Sequence, residues 1–172
     1  MTFQEKVKLF LQNVKSKDFE ESFLYDGEDN PQLRHYELSN SPEEVEIGDG
    51  YYDELLCAEY AIDVHTHPNF NAVPSLLDIA FYLVNDELKE AFILGKDEVF
   101  HTVFKEGRKS IPIHTVEGAY LKIINDLVPH QADIKVNDYS KGAESLFAYA
   151  SFELMRKFGL DYKIIKLSDL SI

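Results

Sequence analysis

Residues 55–67 read LLCAEYAIDVHTH, the most strand-like run in the chain. Apolar residues dominate this run, and Pro68 ends it because proline has no backbone N–H to donate within a sheet. A loop is predicted over 69–74, since Pro68 and Pro74 bracket it. A helix with a broad apolar face is predicted over about 75–90. A strand followed directly by a helix indicates the α/β class.

The remaining patterns complete this fold. Helices are predicted over about 2–15 (with a Thr2–Glu5 capping box), 116–127 and 140–158, strands over 19–27 and 161–167, a strand or loop over 33–39, and a hairpin that turns at 95–97. The acidic stretch 41–54 predicts a surface loop or a short hairpin. We therefore predict one α/β domain over residues 1–172, with a mixed β-sheet flanked by helices.

Composition narrows the class of protein. Of the 172 residues, 45% are apolar and 28% are charged, which is typical of a globular chain. No apolar run approaches the roughly 20 residues that cross a bilayer, and the start of the chain does not resemble a signal peptide. The single cysteine, Cys57, excludes an intrachain disulfide and is predicted to be a small core residue. We expect a cytoplasmic protein that does not bind membranes.

The net charge of −14 argues against nucleic acid as a partner, because binding phosphates needs a basic face. Residues 16–63 hold fifteen acidic residues against Lys17 and Arg34. One interpretation is an ordinary solvated acidic surface. The other is an acidic docking face for a basic partner, or a setting that favours a cation.

Two histidines at the end of the 55–67 run are candidate metal ligands. His65 and His67 are two residues apart, so on a strand they project to the same face, and imidazole nitrogens bind zinc well. Asp78 lies one turn inside the following helix and points the same way as the Ser75 hydroxyl. Three ligands leave a fourth tetrahedral position for water, as in catalytic zinc sites. Alternatively, Ser75 and Asp78 form only a capping box and the histidines are structural.

The joint pattern is H-x-H-P-x6-S-x2-D, from His65 through Pro68 and Ser75 to Asp78. It resembles the signature of the JAMM (MPN/JAB) zinc metalloprotease family, and the resemblance covers roughly residues 1–106. The resemblance implies a cytidine-deaminase-like α/β fold and one Zn²⁺ per chain, held by His65, His67 and Asp78.

The resemblance also implies a glutamate upstream of the histidines that acts as general base. Glu20 fits best, because Leu24, Tyr25 and Gly27 fall in register with the family pattern, although Phe23 occupies a position that is usually small. Glu21 is the alternative. Ser75 is implied to donate a hydrogen bond to the developing oxyanion.

The activity that the resemblance implies is hydrolysis of an amide bond, often after the C-terminal tail of a ubiquitin-like protein. Such a tail is expected to add as a strand beside the His65–His67 strand or the 41–54 segment. Deleting 43–53 is then expected to raise KM while sparing zinc binding. The alternatives are a non-catalytic scaffold of the same family and a peptidase that acts on cell-wall peptides.

Other metal enzymes fit less well. Asp63, His65 and His67 also form the D-x-H-x-H that opens amidohydrolase barrels, but a barrel needs about 250 residues and only 109 follow Asp63. Zinc deaminases need a P-C-x-x-C that a chain with one cysteine lacks. A DNA-associated protein of the RadC type shares the signature, but the acidic charge disfavours it.

Overall fold

The computed structural model describes residues 1–39, 47–68, 71–133 and 143–171. Those residues form five α-helices and six β-strands, so the α/β class is confirmed. The helices are α1 (Phe3–Asn13), α2 (Asp49–Cys57), α3 (Leu76–Val84), α4 (Ile113–Leu127) and α5 (Ala143–Lys157). The strands are β1 (Glu21–Asp26), β2 (Gln32–Leu38), β3 (Ala61–His67), β4 (Leu88–Gly95), β5 (Glu98–Val103) and β6 (Tyr162–Lys166). Short 3₁₀ helices span Val128–Asp133 and Leu167–Asp169.

The six strands form one mixed sheet in the order β2-β1-β3-β4-β5-β6. β3 and β4 are parallel, since α3 intervenes between them in the chain, and the other neighbours are antiparallel. The predicted mixed sheet, the β4–β5 hairpin and the edge position of β6 are confirmed. β3 pairs with β1 over residues 61–65 and with β4 over residues 61–67. A substrate tail therefore has no open edge to join along residues 61–65, and its addition beside the 41–54 segment stays a prediction.

The chain divides into two compact units that interleave along the sequence. The first comprises Met1–Ala72, Glu87–Glu106 and Tyr162–Ile172, and the second comprises Val73–Asp86 and Gly107–Asp161. The organisation of 1–172 as one domain stays a prediction.

In the first unit, α1 covers one face of the sheet. The capping box that the sequence predicts is present: Thr2 Oγ1 accepts from the Glu5 backbone N–H, and Glu5 accepts from that of Thr2. α2 lies on the opposite face of the sheet, where it contacts β1 and β2 and buries Tyr51 and Leu55. The core beneath α1 consists of Val7, Phe10, Phe23, Tyr25, Ile62, Val64, Phe92, Leu94, Val99 and Leu170.

In the second unit, α3, α4 and α5 pack against one another. The C-terminal end of α3 is held by Arg108, which donates to the carbonyls of Tyr82 (2.5 Å) and Asn85. The Ile111 N–H adds a bond of 2.8 Å to the Leu83 carbonyl. A cation at this end is favourable because the last carbonyls of a helix carry partial negative charge.

The 41–54 segment corrects one prediction. Residues 49–57 form α2, rather than a loop or hairpin followed by the start of a strand, and β3 begins only at Ala61. Residues 40–46 lie outside the described residues. Cys57, predicted to be buried, is exposed at the end of α2.

The helix predicted over 75–90 also ends earlier. α3 stops at Val84, Asn85 caps it, and Leu88 begins the buried strand β4. Leu88 falls at helical spacing from Val84, so its apolar side chain extends the helical pattern past the true end of the helix.

Candidate metal centre

Alternation along β3 sends His65 and His67 to the same face of the sheet. All seven residues of β3 are buried. Ile62 and Val64 belong to the core beneath α1, so Asp63 and the two histidines face the opposite way. The two imidazole rings lie 5.1 Å apart between their centroids. The predicted convergence of the two histidines is confirmed.

His65 is held through one edge of its ring. Its Nδ1 lies 3.1 Å from Oδ2 of Asp63, and the Tyr51 hydroxyl donates to the other oxygen, Oδ1, at 2.5 Å. Burial, reinforced by the neighbouring Asp63 carboxylate, raises the pKa of Tyr51 well above its ordinary value of 10.0, so its hydroxyl stays protonated. α2 is thereby connected to β3 through a buried hydrogen-bonded chain.

His67 is held in the same manner by the backbone. Its Nδ1 lies 3.0 Å from the carbonyl oxygen of Asn71. A carbonyl only accepts hydrogen bonds, so Nδ1 carries the proton and Nε2 keeps its lone pair in the neutral ring. The next N–H, that of Ala72, donates to Glu98 at 3.1 Å. A Cβ at Gly95 would lie 2.6 Å from the Ala72 nitrogen, so this close approach requires glycine.

Three side chains each offer one ligand atom to a metal ion: His65 and His67 in the first unit and Asp78 in the second. Two imidazoles and a carboxylate suit a divalent transition metal and leave a coordination position open.

Asp78 also caps its own helix. Its Oδ2 accepts from the Ser75 N–H at 2.6 Å, and Ser75 Oγ accepts from the Asp78 N–H at 3.2 Å. The capping box that the sequence offered as an alternative is therefore present. It is compatible with metal binding, because a carboxylate has two oxygens and about four lone-pair positions. The Ser75 hydroxyl accepts in this box and keeps its own proton to donate.

Glu20 lies directly before β1 and is 6% exposed. Its Oε1 lies 3.9 Å from Nε2 of His67, and its carbonyl accepts from the Ser39 N–H at 2.9 Å. The Glu20 carboxylate is thus beside Nε2 of His67, the ring nitrogen that carries no proton in this tautomer.

Glu21, the alternative base, is fully buried elsewhere. Its carboxylate accepts from the backbone N–H groups of Lys15 (2.9 Å) and Ser16 (3.0 Å), and from the Tyr36 hydroxyl (2.7 Å). These bonds hold the connection between α1 and β1.

Sequence reasoning missed the side chains that orient the histidines. Asp63 carried a signal, because it lies two residues before His65 and therefore shares its strand face. Tyr51 carried a weaker one: its spacing of four from Leu55 is that of a buried helical face. Nothing local in the sequence pointed to the Asn71 carbonyl.

No family model, curated protein or solved structure matches the chain. In the part of the chain that the structure describes, no helix has the length and apolarity that a membrane crossing needs.

Proposed function

We propose that the protein is a zinc-dependent hydrolase of the JAMM type, in which His65, His67 and Asp78 hold one Zn²⁺. The observation that carries the proposal is the convergence of His65 and His67 on one face of β3, with Oε1 of Glu20 3.9 Å from Nε2 of His67. The H-x-H-P-x6-S-x2-D spacing supports the same assignment. A scaffold needs the fold but has no use for a buried carboxylate beside the ligands.

Zinc suits this donor set. Neutral imidazoles and a carboxylate are its usual ligands in catalytic sites, and a site with three protein ligands keeps a position open. His67 meets the requirement for a neutral ring with its lone pair on Nε2, because the Asn71 carbonyl holds the proton on Nδ1.

When bound, zinc would supply a nucleophilic water near neutral pH and polarise the scissile carbonyl. Glu20 takes the proton from the attacking water and delivers it to the leaving amine, as a general base that becomes a general acid. The Ser75 hydroxyl donates to the developing oxyanion. The burial of Glu20 and both histidines keeps bulk water from competing with these hydrogen bonds.

The substrate in this proposal is an amide bond after the C-terminal tail of a ubiquitin-like protein. The resemblance supports this choice, and the acidic surface of the chain would suit a basic substrate protein. Cytoplasmic action is part of the same proposal.

The test is cleavage of a ubiquitin-like fusion that carries a reporter after its terminal Gly-Gly. Zinc-loaded protein is expected to release the reporter, and protein stripped by a chelator is expected to be inactive until zinc is restored. A panel of cell-wall peptides runs beside it. Cleavage of those peptides alone would reassign the substrate, and no cleavage of either by zinc-loaded protein would favour the scaffold.

A further inference from the structure

We propose that Tyr51 and Asp63 are positioning residues, which hold His65 as the Nδ1–H tautomer so that Nε2 presents its lone pair to the metal. The inference deepens the proposed function and rests on it for the identity of the ligand set. It assigns a role to α2, a helix that contributes no metal ligand in that proposal.

The hydrogen-bonded chain has one direction. A tyrosine hydroxyl beside a carboxylate donates, so Tyr51 occupies Oδ1 of Asp63 at 2.5 Å. The remaining oxygen, Oδ2, lies 3.1 Å from His65 Nδ1 and accepts from it. The proton of the neutral ring is therefore on Nδ1, and the lone pair is on Nε2 at the other edge of the ring.

Burial strengthens the hydrogen bonds among Tyr51, Asp63 and His65. Tyr51 is 0% exposed, Asp63 is 1% exposed and His65 is 6% exposed, so water does not compete for any of the three groups. A carboxylate partner on the distal nitrogen of a metal-bound histidine fixes both its tautomer and its ring orientation. His67 receives the same support from the Asn71 carbonyl, so both histidines are oriented before a metal arrives.

The substitution Asp63→Asn tests the direction of the hydrogen bonds from Tyr51 through Asp63 to His65. A phenol hydroxyl is a better donor than acceptor, so in Asp63→Asn we expect Tyr51 to keep donating to the amide oxygen, which turns the NH₂ group toward His65. Nδ1 must then accept, and the proton moves to Nε2. We expect the ¹⁵N spectrum of the full-length, metal-free variant to show His65 as the Nε2–H tautomer. Zinc affinity should fall about 10–100-fold, which is typical when such a partner is lost.

A second substitution separates positioning from plain loss of stability. In Asp63→Asn combined with Tyr51→Phe the amide can rotate, so its oxygen again accepts from His65 Nδ1. We expect the Nδ1–H tautomer to return and zinc to bind more tightly than in Asp63→Asn alone. A merely structural role predicts weaker binding in the double variant. Tyr36→Phe, which removes a hydroxyl from the buried carboxylate of Glu21, is the matched control and should leave the His65 tautomer unchanged.

The ¹⁵N spectrum of the metal-free wild type tests the inference even if a variant fails to fold. His65 as Nδ1–H in the metal-free protein supports it, and His65 as Nε2–H overturns it. A wild-type protein that shows the predicted tautomer but binds no zinc contradicts the proposed function instead, so the two failures are distinguishable.

Discussion

Oε1 of Glu20 lies 3.9 Å from Nε2 of His67, whereas the next residue, Glu21, binds backbone N–H groups at the end of α1. Two adjacent carboxylates thus occupy separate environments. Because successive side chains near a strand alternate in direction, one faces the histidines and the other faces the connection between α1 and β1. Substitutions at these two positions should therefore have different consequences.

Glu20→Gln is expected to bind zinc normally and to lose hydrolysis by about 10²–10⁴-fold, the usual contribution of a general base. Glutamine keeps the size of the side chain but cannot take a proton from the attacking water. The measurement is the turnover rate at saturating substrate, normalised to bound zinc.

Glu21→Gln is the matched control. It weakens charged hydrogen bonds to Lys15, Ser16 and Tyr36, so it should lower the free energy of unfolding by about 1–3 kcal/mol while the folded protein keeps its turnover rate. Loss of turnover in Glu21→Gln, with Glu20→Gln active, would exchange the two assignments.

Gly95→Ala tests whether the backbone at Asn71 and Ala72 holds His67 in place. The added Cβ would lie 2.6 Å from the Ala72 nitrogen and 2.9 Å from the Asn71 carbonyl carbon, so the backbone that holds His67 Nδ1 must move. We expect zinc affinity to fall about 10-fold or more and unfolding to become easier by about 1–3 kcal/mol. Calorimetric zinc titration and urea unfolding measure the two effects.

Gly118→Ala provides the comparison, because a Cβ there meets no atom within 4 Å. Gly118 lies inside α4, where alanine is favoured over glycine by about 1 kcal/mol. This variant should be slightly more stable and should bind zinc as the wild type does. Equal zinc affinity in the two alanine variants would show that the approach of Ala72 to Gly95 does not matter to the site.

A buried ionic group on the α1 side of the sheet predicts acid sensitivity. Burial raises the pKa of Glu90, but hydrogen bonds from His101 (2.7 Å) and Lys6 (2.5 Å) outweigh it, so the pKa lies below its ordinary value of 4.5. A folded-state pKa that is lowered adds stability above the unfolded value. That stability is lost as the pH falls from about 4.5 through the folded pKa.

Glu90→Gln should cost about 3–5 kcal/mol in the free energy of unfolding at neutral pH, because Lys6 stays buried without its counter-charge. The cost should shrink as the pH falls from 4.5 through the lower folded-state pKa of Glu90, because the wild-type carboxyl itself becomes protonated there. Urea unfolding across that range measures both, with the exposed Glu117→Gln as control. If the stability cost of Glu90→Gln did not change with pH, the buried ion pair of Glu90 with Lys6 would be contradicted as its cause.

Deleting 43–53 now has an expected outcome opposite to the one that the sequence favoured. The deletion removes Tyr51, which is fully buried and donates to Asp63. We therefore expect it to lower zinc affinity as well as stability. Unchanged zinc affinity in the deletion variant would show that α2 plays no part in the metal centre.

Local patterns were sufficient to predict the strand and the helix that carry the candidate ligands. His65 and His67 end a buried apolar run, and a capping box fixes the start of α3 at Ser75. Both signals lie within a few residues of the element that they define, so the sequence alone places all three candidate ligands.

α2 could not be predicted in the same way, because its sequence DGYYDELLC is short and begins with residues that favour turns. Its helical form depends on burying Tyr51 and Leu55 against β1 and β2, which are distant in sequence. The partners of the histidines were missed for the same reason: they belong to other segments or to the backbone.

The most direct test of zinc binding is the zinc content per chain after reconstitution. It is measured for the wild type, for Asp78→Ala and for the control Asp86→Ala, whose aspartate is exposed. We predict about one zinc in the wild type and in Asp86→Ala, and little or none in Asp78→Ala, because two imidazoles alone hold zinc weakly. Absence of zinc from the reconstituted wild type, or full zinc content in Asp78→Ala, would contradict the assignment of His65, His67 and Asp78 as its ligands.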